Sequence, residues 1–401
     1  MAQNLTNFDA VLKDFYLGPI RRQLNDRVIF LRRMERRTDV FSGRQIVTPL
    51  SFSRNAGVGS RSDGGTLPTP GNQQYRDLIL KPKYIYGSIK ITGPTIAASR
   101  NNAGAFVRAV RAEMDGMMRD LRRDVNRQFY NDSFGTIAGC ASNTSTTTLQ
   151  LDADANMNLF YEGMKIDIKN SSGADITGGG DRTVVSIDRA NKTITIDSAG
   201  GAVTTADTDA IFLSDSRGLE IEGLEAWVGS ETNTVGGIDR SDAANGWFRP
   251  NVLDNGGTLR SLSLDLLQQA NDEAEARAGG RISIGITSHG VRRKYVALVR
   301  ADRRHVNTME LDGGFTGVEF NGYPLIVDSQ APLNTVWLLD ESTFFIAQMA
   351  DFDWLDEDGQ ILHRIVGSNA SEDAYEATLA FYGNLVNTVP AANAALKDIT
   401  E

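Results

Sequence analysis

The densest group of carboxylates in the chain is Asp351, Asp353, Asp356, Glu357 and Asp358. Carboxylates grouped in this way can bind calcium through hard oxygen ligands, or can divide into a general acid and a general base. The spacing does not build an EF-hand loop, because Asp356, Asp358 and Gln360 lack the glycine and the terminal glutamate at the required offsets. The favoured reading is a solvated acidic turn that meets arginines of another subunit, and the alternative is an enzyme that uses Asp353 and Asp356.

No other constellation offers chemistry. No serine sits in a G-x-S-x-G context, and the CxxC, HExxH and Walker patterns are all missing. The run Gly178–Arg182 has no phosphate-loop lysine and no helix after it, so it reads as a turn. The single cysteine, Cys140, excludes an internal disulfide, and none of His289, His305 or His363 lies in a partner motif that would activate it. The expectation is a protein that is not an enzyme and takes no cofactor or metal.

With 401 residues and 41% hydrophobic content, the chain can bury one large core or two smaller ones. No stretch is apolar enough to span a membrane, and the start lacks a basic region followed by an apolar one, which predicts a soluble protein that is not exported. The net charge of -10 argues against a dedicated nucleic-acid binder. Arginines nevertheless concentrate early, at Arg21, Arg22, Arg27, Arg32, Arg33, Arg36, Arg37 and Arg44. Their planar guanidinium forks suit carboxylates or phosphates equally, and in an acidic chain the carboxylates of a neighbouring copy are the preferred partners.

Two patterned stretches follow, GRQIVTPLSFSR and DLILKPKYIYGSIKIT, each with strand-like alternation. Between them, Asn55–Gln74 is rich in Gly, Ser and Pro and can bury no core. Together they read as a long two-stranded arm with a mobile tip, too long to be stable alone and laid on a neighbouring copy. The next stretch, Gly104–Asp132, places Phe106, Val110, Met114, Met117, Leu121, Val125 and Phe129 on one stripe of a helix roughly 40 Å long. With a single apolar stripe this helix should lie along a surface, and Arg108, Arg119, Arg122 and Arg123 should face a neighbour or an enclosed interior. From residue 140 to about 216, short strand-like runs alternate with turn clusters and predict an all-β barrel or sandwich. Beyond Leu219, helices and strands interleave as an α+β unit, ending in a polar tail.

The order of these parts, together with GYPLIVDSQAP, TVWLLDESTFFIAQ, YGNLVNT and the run TVGGIDRSDAANGWFRP at Thr234–Pro250, resembles the major capsid proteins of tailed bacteriophages with the HK97-type fold. The resemblance covers nearly the whole chain. It implies an α+β subunit with an N-arm (1–40), an extended E-loop hairpin (41–95) and a peripheral domain on a spine helix (96–138). An all-β insertion domain (140–216) and an axial domain (217–318) would follow, then a peripheral return with the remaining axial strands (319–390) and a C-terminal tail (391–401).

Such a subunit would assemble as hexamers and pentamers into an icosahedral virion capsid around double-stranded DNA contacted without sequence specificity. Assembly would take place in the host bacterial cytoplasm, with separate scaffolding, portal and decoration proteins as partners and no membrane. An encapsulin-like nanocompartment shell is the alternative within the same fold. Assembly contacts are expected at Arg21, Arg22, Arg32, Arg33, Arg36 and Arg37, at the tip residues Gly57, Gly59, Arg61, Gly64, Gly65, Pro68 and Pro70, and at Asp353, Asp356, Glu357 and Asp358. The tip holds no lysine, while Lys81 and Lys83 lie on the return strand, so no isopeptide cross-links are expected.

Overall fold

The computed structural model describes residues 33–92, 103–301, 308–311, 315–356, 359–366 and 371–401. Three sheets and one long helix, α1 (Ala103–Tyr130), organise the chain. The backbone of one five-stranded sheet is Ser371–Asn387, a 17-residue strand. Phe344–Trp354 and His363–Val366 pair antiparallel with successive parts of it on one side, and Lys83–Thr92 pairs antiparallel on the other. Lys83–Thr92 buries Ile85, Ile89 and Ile91 and exposes Tyr84 and Tyr86, the period-2 pattern of a strand covered on one face.

The cover is α1. Met114, Met118, Leu121, Val125 and Phe129 are buried, whereas Met117 is only partly so. Burying Val125 and Phe129 completely contributes about 1.5–3 kcal/mol each. Helix and strand approach closely because Gly87 has no side chain: a Cβ there would lie 2.7 Å from the Met117 sulfur. The side chains of Phe106, Arg108 and Val110 fall outside the described set.

The expectation of a single buried stripe holds only for the first part of the described helix. Arg122, Asn126, Arg127 and Gln128 are buried as well, because the chain after residue 213 wraps the last turns. Arg119 and Arg123 remain exposed, while Arg122 does not face outward.

A second unit leaves from the end of α1. Strands between Thr136 and Leu213 form a six-stranded sheet and a two-stranded pair. They enclose their own core of Leu149, Ile166, Ile168, Ile194, Val203 and Ile211 among others, separate from the core under α1.

The third sheet has seven strands, in the order Asn251–Leu253, Ala394–Leu396, Val336–Leu339, Ile284–Thr287, Tyr323–Val327, Phe315–Phe320 and Thr308–Leu311. It packs with α2 (Leu264–Ala278), which Ser263 caps by accepting from the Leu266 N–H, and with α3 (His289–Ala301).

Two expectations, the polar tail and the continuous return strand DLILKPKYIYGSIKIT, are corrected. Residues 391–401 are not a polar tail: Ala394–Leu396 is an interior strand, and Leu396 and Ile399 have no exposed surface. Small apolar residues, AALKDI, hid a strand that tertiary pairing stabilises.

TVWLLDESTFFIAQ is two strands in different sheets. The chain crosses at the 3-10 turn Glu341–Thr343, where buried Asn393 accepts from the Asp340 N–H at 2.8 Å and donates to Thr343 Oγ1 at 3.2 Å. DLILKPKYIYGSIKIT likewise divides at Lys81-Pro82. Tyr75–Leu80 returns the hairpin, and Lys83–Thr92 belongs to the five-stranded sheet.

Candidate assembly surface

The hairpin consists of Gln45–Ser51 paired antiparallel with Tyr75–Leu80, flanked by Phe41–Ser42. Its base does not wait for a neighbour. Ile46, Leu50, Leu78 and Leu80 are buried in the main core of their own chain. The run Thr234–Pro250 forms a cradle beneath it. The Ile79 N–H donates to the Gly236 carbonyl at 3.0 Å, Arg76 Nη1 donates to Asn245 Oδ1 at 2.5 Å, and Phe52 stacks on Trp247 with ring centroids 4.9 Å apart. Gly236 is required here twice over: its φ is +59°, and a Cβ would lie 2.0 Å from Leu78 Cδ1.

Arg240 holds the cradle in shape. It is wholly buried and donates to the carbonyls of Ala226, Trp227 and Ser230 and to Asn233 Oδ1 at 3.0–3.2 Å, with the Phe248 ring 5.1 Å away. Burial pulls its pKa down to about 9, so it still carries its proton at neutral pH.

The tip is exposed. Gly59, Arg61, Gly64, Gly65 and Pro70 face solvent, Gly57 and Pro68 are half-buried, and Val58 and Leu67 are 86% and 81% exposed. Asn55 Oδ1 ties the two legs together by accepting from the N–H groups of Gly57 (2.7 Å) and Gly71 (3.1 Å). Arg61 turns back on the loop itself, donating to the carbonyls of Ser60 and Thr66.

The arginine arm is placed differently from the sequence reading. Arg21, Arg22 and Arg32 lie outside the described residues. Glu35–Arg37 adds to the five-stranded sheet as a strand parallel to Phe344–Trp354. That register brings Arg33 onto Glu341 in a two-pronged ion pair and Arg36 onto Asp351 at 3.1 Å. Arg37 pairs with Glu35 at 2.7 Å and lies over the Phe345 ring.

For Arg33 and Arg36 a carboxylate is thus supplied within the same chain. Asp353 and Asp356 are exposed, and Glu357 and Asp358 lie outside the described residues. Asp353 accepts from the N–H of Trp354. Among the described residues, no group of three or more His, Cys, Asp or Glu is arranged to hold a metal ion. Cys140 is buried, and burial, with Asp152 and Asp209 nearby, pushes its thiol up to about 12, so it is no nucleophile at neutral pH.

Sequence reasoning missed the junction where α1, the chain leaving the β unit and the five-stranded sheet meet. Arg127 forms a fork with Glu220 (2.6 and 2.9 Å) and also donates to Asp124 (2.7 and 3.0 Å). Burial opposes the charge on Arg127, but its two carboxylates outweigh it and hold the guanidinium charged; burial pushes the Glu220 carboxyl up, against the pull of Arg127.

Two residues on, Glu222 is half-buried, and desolvation raises its pKa against Lys83 at 3.9 Å and the Asn384 side-chain amide. Asn384 also donates to the Lys81 carbonyl at 2.9 Å. The strap Glu220-Ile221-Glu222 therefore ties the chain leaving the β unit to α1 on one side and to the five-stranded sheet on the other. Two acids flanking an isoleucine were the only signal in the sequence.

No protein-family model matches the chain, and no curated protein is similar to it in sequence. Among solved structures, a subunit of the cyanophage A-1(L) capsid is similar over 94% of this chain and 93% of that one, with a TM-score of 0.58 and 14% identity. Two weaker likenesses accompany it. A Gordonia phage Cozz structure has a TM-score of 0.49 and 11% identity over 93% of this chain and 87% of that one. The SrpI encapsulin of Synechococcus elongatus has a TM-score of 0.44 and 10% identity over 91% and 85%. A five-stranded sheet under a long helix, a seven-stranded sheet with its own helices, and a projecting hairpin compose a mixed α+β subunit with the HK97-type capsid fold.

Proposed function

We propose that the chain is the major shell protein of a tailed-phage head and self-assembles into the hexamers and pentamers of an icosahedral capsid around double-stranded DNA. The observation that carries this reading is the fold, shared with a cyanophage capsid subunit across 94% of the chain. In this reading, residues 1–40 are the N-arm, 41–95 the E-loop, 140–216 an insertion domain, and 217–318 much of the axial domain. The remaining residues form the peripheral domain and the strands that complete the axial sheet.

The exposed tip, with Val58, Arg61 and Leu67, is the part that engages an adjacent copy. The DNA is contacted through charge alone, without sequence readout. Scaffold, portal and decoration proteins are the expected partners, assembly takes place in the host cytoplasm, and the role is structural, with no covalent cross-link through the tip.

Negative-stain microscopy of the purified chain, alone and with a co-expressed scaffold, tests the proposal. Closed shells or ordered capsomers are expected, and a monodisperse monomer under every assembly condition would overturn it. Shells that form with an enzyme cargo and never with DNA would favour an encapsulin-like compartment instead. Deleting residues 57–71 should leave a soluble, folded subunit that makes no stable shells.

A further inference from the structure

We propose that the cradle at Thr234–Pro250 is a latch that sets the angle at which the hairpin leaves its subunit, and that it stays closed during assembly, so that conformational adjustment is confined to residues 53–73. Three contacts of different kinds close it. The Ile79 N–H to Gly236 carbonyl bond, at 3.0 Å, seals the outer edge of Tyr75–Leu80, an edge that would otherwise be free to pair elsewhere. Arg76 reaches the buried Asn245 at 2.5 Å, which fixes the strand along its own direction. Phe52 on Trp247, with ring planes 16° apart, clamps the other leg just where the strand Gln45–Ser51 ends.

The cradle is itself stiff. Arg240 draws Ala226, Trp227, Ser230 and Asn233 together around one guanidinium, and Asn245 donates to the Asp239 carbonyl at 2.6 Å. A contact made to such a support transmits its geometry.

Beyond the latch the situation reverses. The Phe52 N–H bonds to the Gln74 carbonyl at 3.1 Å, and past that pair every hydrogen bond found for residues 53–73 among the described residues stays inside the loop. The hinge therefore falls at Phe52 and Gln74. Trp247, Asn245 and Arg76 are positioning residues, acting on a neighbour only through the hairpin they aim.

The latch itself is a property of the single subunit; its consequence for assembly rests on the shell reading. Hydrogen exchange with mass spectrometry on the full unassembled chain tests the first part. Amides of residues 75–80 are expected to be protected while those of 53–73 exchange freely. Trp247→Ala should speed exchange at Ile79 by about tenfold or more and leave Phe344–Trp354 unchanged, and Trp247→Phe should restore protection.

If Trp247→Ala also loosens Phe344–Trp354, Arg76→Ala serves instead, since it removes only the bond to Asn245. Residues 75–80 exchanging as fast as the tip in the unmodified chain, or no acceleration in either variant, would overturn the latch. In assembled particles, residues 53–73 should gain protection while residues 75–80 keep theirs. A gain at 75–80 of tenfold or more would show that the latch closes only on assembly. If no particles form, the shell reading fails while the exchange of the free subunit still decides the latch.

Discussion

Replacing Arg127 by Met removes the cation at the junction of α1 and the insert and leaves the Glu220 carboxylate buried. The Glu220 side chain is 2% exposed, and the structure provides it two oxygen contacts to Arg127. Stripping one partner from a buried pair costs about 3–5 kcal/mol, because the remaining charge loses its compensation without regaining water. Asp124, at 27% exposed, stays partly solvated and adds less.

The cost depends on pH in a definite direction. Burial already raises the Glu220 pKa above its ordinary value of 4.5, and losing Arg127 raises it further. The folded form then holds a proton that the unfolded form has released, so the destabilisation is complete above the folded-state pKa. It fades as pH falls toward 4.5. A chain with separate cores need not unfold in one step, so a local assay is required.

Hydrogen exchange at the last turn of α1 and at the Ile221 amide, which donates to Gln128 Oε1 at 3.2 Å, meets that need once it is corrected for the intrinsic pH dependence. The opening free energy should fall by about 3–5 kcal/mol at pH 7 and by clearly less at pH 5. Arg127→Met/Glu220→Met should lie within about 1 kcal/mol of the unmodified protein, since an apolar pair of similar volume often matches a buried ion pair. An equal loss at both pH values, or a double variant as weak as the single one, would refute the account.

Truncation before residue 391 should give insoluble protein, because it removes a strand between Asn251–Leu253 and Val336–Leu339 and exposes the core around Leu396 and Ile399; soluble truncated subunits would contradict the topology. Thiol reagents at pH 8 should leave Cys140 unlabelled in the native chain and modify it fully after denaturation, as read by intact mass. Arg36→Asp should cost about 0.5–1 kcal/mol at low salt, as the pair with Asp351 is partly exposed, and Asp351→Arg in the same chain should recover it. Recovery only on mixing the two single variants would mean that the pair crosses between subunits.

The sequence reveals elements whose pattern is local. The apolar positions of α1 stand three and four apart, Gly279 marks the end of α2, and turn clusters separate the short strands between Thr136 and Leu213. It conceals what pairing decides. Ala394–Leu396 carries too little side chain to read as a strand, yet it lies between two others with every residue buried. Glu220 and Arg127 look like ordinary surface charges until the fold brings them together out of solvent. The run Thr234–Pro250 carried a resemblance but no visible task, because its partners Phe52, Arg76 and Ile79 lie more than 150 residues earlier in the chain.

These contacts change how folding and assembly relate. A hairpin unable to stand alone, and an arm of unpaired arginines, would make each subunit depend on its neighbours to fold. Instead the hairpin base is buried in its own core, the cradle holds its outer edge, and Arg33 and Arg36 reach Glu341 and Asp351 of the same chain. What the described hairpin leaves unsatisfied is small and distal: Val58 and Leu67 at the tip, and Tyr75 and Ile79 along the return strand. Apolar surface of that kind gains little from its own subunit and contributes when a second copy covers it. Under the shell proposal, folding comes first, and association selects subunits whose hairpins already point the right way. In that proposal the latched base aims the hairpin in advance, and the conformational entropy lost on docking is confined to residues 53–73.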